Sequence, residues 1–132
     1  DFRVNRWLVL LMKTAVILLA ILCSFADVRA DEVRETYVAR LSRQDHFNSN
    51  GQRLQSAAAI IRQDRANFHK FGRRDSEDEH DVFFASTSNR ALFEKMLERG
   101  SSEPGALRSI VNGTPLIKVV VFKNHVVVMI LD

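Results

Sequence analysis

Residues 116–131 read LIKVVVFKNHVVVMIL, and this stretch decides the fold class. It is dominated by β-branched residues, with Lys123-Asn124-His125 as its main polar break, so it predicts two strands joined in a hairpin. Both faces are apolar, a pattern of strands that are central or covered. Asn124-His125 lacks the glycine that most two-residue turns use, which leaves the turn type open. Exposed, such strands would invite edge-to-edge aggregation, so the preceding segments must supply a cover.

Moving back along the chain, Pro104 suits the first turn of a short helix over Glu103–Val111, buried through Leu107, Ile110 and Val111 and ended by Asn112-Gly113. Asn89–Arg99 places Leu92, Phe93, Met96 and Leu97 on one side of a second helix, with N-caps on offer at Ser86, Thr87 and Ser88 and a stop at Gly100. The strongest helix runs from Gln52 to about Phe71, where Leu54, Ala57, Ala58, Ile61 and Phe68 share one arc and Phe71 extends its edge. Asn50-Gly51 is a turn signal before it. Val82-Phe83-Phe84-Ala85 is too short to classify, a strand or a turn whose aromatics plug the core. TYVARL, from Thr36 to Leu41, reads as a short strand. The expected architecture is α+β: one small domain with a short N-terminal strand, two to three helices and a C-terminal β-hairpin.

The first thirty residues are different material. WLVLLMKTAVILLAILCSFA, residues 7–26, is apolar apart from Lys13 and small polar residues, with Arg3 and Arg6 just before it. Counted from Met12, it is a leader with Lys13 as its basic region and Ala15–Leu22 as its apolar core. Val28 and Ala30 approximate a small-x-small cleavage site, so cleavage after Ala30 is the preferred reading and residues 1–11 are a candidate upstream extension. The alternative is a retained anchor, because about 20 residues at roughly 1.5 Å each cross a bilayer core. Both readings carry residues 31–132 outward, into a periplasmic or extracellular space. A lipid-modified Cys23 is disfavoured by Leu22 in front of it. Without the leader the chain has no cysteine, so its fold must hold by packing alone.

The leader also accounts for most of the basic character. Four of the 19 basic and two of the 16 acidic residues lie in residues 1–30, leaving 15 and 14, net +1. That balance gives no support to a nucleic-acid partner, and Phe68 and Phe71 are read as core residues. The partners expected instead are an envelope protein or a second copy engaged through the C-terminal hairpin, with a membrane only if the N-terminal segment stays.

Chemistry is sparse. His46, His69, His80 and His125 form no spaced metal-ligand pair, so no metal site and no cofactor are expected. The acids of residues 73–81 (RRDSEDEHD) fail the calcium-loop pattern, with His80 where glycine is needed and Ser86 where glutamate is needed, and read as a solvated loop. Asp45, His46 and Ser49 are too close in sequence to face one another as a triad; Asp45 and His46 remain weak loop candidates. The informative conflict lies on the long helix, where Asp64 and Arg65 fall on the apolar arc, with Arg62 and His69 beside it. Buried ions must be paired, so Arg62, Asp64, Arg65 and His69 are the candidate ligand site or structural polar network. With no catalytic constellation, the leading reading is a non-catalytic binding or interaction module. The alternatives are a small hydrolase or ligand-binding protein using the Arg/His cluster, and a membrane-anchored accessory subunit.

Overall fold

The computed structural model describes residues 5–12 and 30–132. The leader's apolar core at Ala15–Leu22, together with Cys23 and Val28, lies outside the described residues. The chain divides into two units, Asp1–Ala30 and Asp31–Asp132. In the first, residues 5–12 form helix α1. No helix among the described residues is long and apolar enough to cross a membrane.

The second unit is an α+β domain built on a mixed sheet of order β1-β3-β4-β2, from β1 (Glu35–Arg40), β2 (Ser101–Ser102), β3 (Leu116–Val121) and β4 (Val126–Ile130). Strands β3 and β4 are the predicted hairpin, antiparallel with Val119 opposite Val128. Its turn needs no glycine, because Phe122 N–H donates to His125 O (2.9 Å) and the two rings stack at 4.4 Å. β1 adds antiparallel to β3, Tyr37 opposite Val119. One face, with Tyr37, Ala39, Ile117, Val119, Val121, Val126 and Val128, is fully buried. Val38, Lys118, Val120, Val127 and Met129 on the other face are half-buried.

The expected element list needs correction. Among the described residues the first element is a helix rather than a strand, and there are five α-helices, not two to three: α1, α2 (Ala57–His69), α3 (Thr87–Ala91), α4 (Phe93–Arg99) and α5 (Ala106–Asn112). The stretch read as one helix over Asn89–Arg99 is two because Leu92 N–H bonds back three residues to Asn89 O (3.0 Å), a tighter turn that breaks the ladder. Helix α2 starts later than its periodicity suggests, since Ser56 is its N-cap, accepting from Ala59 N–H at 3.2 Å. The fourth strand depends on Gly100. A Cβ there would lie 1.7 Å from Val126 O, so only glycine lets the chain pass close enough for Ser101–Ser102 to pair parallel with Val127–Val128.

The acidic loop is not free in solvent. It lies along the outer edge of β1 as a strap: Glu79 Oε2 accepts from Val38 N–H (3.0 Å), Asp78 Oδ1 from Arg40 N–H (2.8 Å), and Glu79 N–H donates to Val38 O (2.8 Å). Glu35 returns the contact by accepting from Val82 and Phe83 N–H, which seats a 3-10 turn at Phe83–Ala85 and drives Phe84 into the core. Carboxylates thereby satisfy an edge that would otherwise template association. At the other edge, Glu103 Oε1 accepts from Ile130 N–H (2.6 Å) beside β2.

Replacing Asp78 and Glu79 together by alanine is predicted to reopen the β1 edge. Denaturant unfolding should show a loss of about 1–3 kcal/mol, and light scattering should show concentration-dependent association absent from the parent domain.

Candidate functional site

Helix α2 is packed on one side and open on the other, and the two sides do different things. On the packed side Ile60, Ile61, Asp64, Arg65, Asn67 and Phe68 are all buried, so the two ions sit on the apolar arc as their spacing implies. Arg65 is fully enclosed. Its Nε donates to Asp64 Oδ2 (2.8 Å), and its Nη1 donates to Asp81 Oδ1 (2.9 Å) and Glu79 O (3.1 Å). The guanidinium carbon stands 4.4 Å from the Tyr37 ring centroid and 4.6 Å from that of Phe68. Asp81 is completed by His69 Nε2 (2.7 Å) and by Phe84 N–H (2.7 Å). Tyr37 Oη and Arg65 Nη2 are buried without a hydrogen-bond partner.

The electrostatics follow the geometry. For Asp81, burial acts to raise the carboxyl, but His69, Arg65 and the Phe84 amide outweigh it and hold it below the usual range. Burial pushes Asp64 well up, against the pull of Arg65. Burial works against the Arg65 charge too, yet Asp64 and the other neighbours leave that charge more secure than in water. Removing one partner from such a buried pair strands a charge, a loss of about 3–5 kcal/mol.

Asp64, Arg65 and His69 are thus gathered in one network through Asp81, an acid that its sequence neighbours had placed in a solvated loop. Arg62 is not part of it, since it is exposed and faces the opposite side of α2. Asp45 and His46 lie in a second buried cluster within the 3-10 turn Arg43–His46. Asp45 accepts from Asn67 Nδ2 (2.8 Å) and Ser42 N–H (2.9 Å), and the His46 ring nitrogens meet Ser42 O (2.9 Å) and Ile110 O (2.8 Å). Both side chains tie the turn to its neighbours. Among the described residues no group of His, Cys, Asp and Glu is placed to hold a metal ion.

The open side of α2 forms a cleft of about 400 Å³. Its residues recur every three or four positions: Ala59 and Ala66 make a low floor, while Arg62, Gln63 and Lys70 stand as walls. Thr87, Arg90 and Ala91 close one side, and Asn48 and Ser49 the other. The Asn48 wall is rigid. Its Oδ1 accepts from Asn50 N–H (3.0 Å) and Gln52 N–H (2.9 Å), while Gly51 at φ 75° turns the chain. Phe71, assigned to the core by its spacing, is instead 45% exposed at the cleft's end. It lies beyond the last turn of α2, where the arc no longer sets its direction. Among the described residues no carboxylate lines this space, and Arg62 has no hydrogen-bond or ion-pair partner. The sequence signal was present in the polar face of α2, two alanines between long polar side chains.

The two sides of α2 are joined by one hydrogen-bonded chain. Gln63, on the cleft wall, donates to Asn67 Oδ1 (3.0 Å), and Asn67 donates to Asp45.

Burial lifts the Asp45 carboxyl to about 6, against the lowering by Asn67 and Ser42. A carboxyl raised in the folded state contributes stability that is fully present at acid pH and lost as pH rises through about 6. Relative to the Asp45→Asn variant, the parent domain is predicted to lose about 2–3 kcal/mol of unfolding free energy between pH 4 and 6.5. Urea titrations at four or five pH values check the sign.

No protein-family model matches the chain, and neither a curated protein nor a solved structure is significantly similar to it.

Proposed function

We propose that residues 31–132 are an exported, non-catalytic binding module that takes an anionic ligand in the cleft between α2, α3 and the Asn48–Gly51 turn. The observation that carries this reading is a concave space walled by Arg62 and Lys70 with no carboxylate to neutralise them. Its volume falls within the range of small-ligand sites, and Gln63, Asn48 and Thr87 add groups that donate and accept hydrogen bonds. A guanidinium suits a carboxylate or phosphate because its planar fork matches two oxygens. The buried Arg65 network supports the reading indirectly, since it fixes α2 and so the spacing of the cleft walls. Strand addition by a partner is the less supported form of binding, because both sheet edges are occupied by the strap and by β2 with Glu103. Export rests on the leader, with its basic Lys13, apolar core and Ala30 boundary.

Titration of the ¹⁵N-labelled domain with glucuronate or inorganic phosphate is predicted to shift amides of α2, α3 and Asn48–Gly51, while glucose leaves them in place. Arg62→Ala with Lys70→Ala should weaken the effect at least about tenfold. Shifts that persist in the double variant overturn the site. For export, intact mass after expression of the full chain with its leader in a secreting host should correspond to a start at Asp31. A retained residue 1–30 segment argues for the anchored alternative.

A further inference from the structure

The cleft does not stand alone. A second space of about 310 Å³ shares Asn48, Ser49, Gln63 and Phe71 with it and adds Arg73 and Gln44. A third, about 270 Å³, meets the second at Phe47 and adds Arg43, Arg53 and Asn112. The three lie side by side, each sharing lining residues with the next, and form a track of adjacent clefts. Arginine or lysine lines every segment, and no Asp or Glu lines any of them. Arg43 is exposed and, like Arg62, is not committed to any side-chain hydrogen bond or ion pair among the described residues.

Resting on the anionic-cleft reading above, we infer that the occupant of the whole track is a linear acidic polysaccharide, a chain of sugar rings bearing carboxylates. Three adjacent basic clefts suit a polymer with repeated charges better than one small ion. Side-chain amides recur along it: Gln44 and Asn112 are exposed and, among the described residues, in no side-chain hydrogen bond, while Gln63 keeps its Oε1 and Asn48 one N–H of its Nδ2 for an occupant. Together these offer donors and acceptors, which match a sugar hydroxyl that does both, whereas phosphate oxygens only accept. Two phenyl rings, Phe71 and Phe47, reach the track, and both already carry cations: Lys70 and Arg73 lie 5.3 and 5.8 Å from the Phe71 centroid, and Arg53 lies 5.9 Å from that of Phe47. A single-stranded nucleic acid asks for a stacking ring at successive bases. Two rings shared with cations over three clefts fit spaced sugar faces better.

The test uses galacturonate oligomers of one, two, four and six units, with oligo-deoxythymidine of matching charge as the competitor class, on residues 31–132 and on the full chain. Expected is an affinity that climbs at least about tenfold from monomer to hexamer as successive clefts fill. The hexamer should also shift amides near Arg43, Phe47 and Asn112 that the monomer leaves unmoved. Arg43→Gln, a change at an exposed side chain, should lower hexamer affinity at least about threefold. Monomer binding without any gain in length overturns the track and leaves the cleft reading intact. Failure of both monomer and hexamer to bind overturns the two together. Tighter binding of oligo-deoxythymidine than of the hexamer replaces the polysaccharide with a nucleic acid.

Discussion

The enclosed guanidinium of Arg65 is the constraint around which the domain is arranged. Desolvating it is a large cost, and three things offset that cost at once: ion pairs with Asp64 and Asp81, a carbonyl bond to Glu79, and the faces of Tyr37 and Phe68. These groups come from β1, α2 and the segment leading to the 3-10 turn, so the side chain is satisfied only when all three are in place. With Glu79 and Asp81 fixed, the neighbouring carboxylates reach the β1 backbone. With Phe68 fixed, the rotation of α2 about its axis is set.

That rotation links the interior to the surface. Because Asp64, Arg65 and Phe68 must point inward, Ala59, Arg62, Gln63, Ala66 and Lys70 must line the other side. A cleft built this way is preorganised, since its walls stand on a helix whose opposite face is locked by buried charge. The Gln63–Asn67–Asp45 chain adds a direct route between the two sides, from a side chain that a ligand can touch to a buried carboxyl.

Much of the framework was legible in local pattern. The β-branched run at residues 116–131 forms the hairpin, TYVARL lies in β1 except for its Leu41, and Asp64 and Arg65 are where 3.6-residue periodicity puts them, on the packed face. What escaped depends on contacts distant in sequence. Nothing near Asp81 says that it will pair with Arg65, and nothing in RRDSEDEHD distinguishes a solvated loop from one whose carboxylates accept strand amides. Ser101–Ser102 has no strand pattern of its own and exists because Gly100 clears Val126. The break at Leu92 is a three-residue hydrogen bond inside a stretch whose apolar spacing is continuous. Phe71 was misplaced because periodicity was carried past the end of the helix. The cleft was missed because attention to an apolar arc passes over the polar face behind it.

The strap along β1 has a consequence for how the domain meets its surroundings. Asp78, Glu79 and Glu35 are held against backbone amides along one strand and its adjoining turn, while arginines and a lysine line the clefts. A near-neutral formal total therefore coexists with clefts lined by basic side chains, because several acids are spent on backbone amides elsewhere. Under the anionic-cleft reading, an incoming negative charge would meet cations at the clefts with no competing carboxylate in their lining.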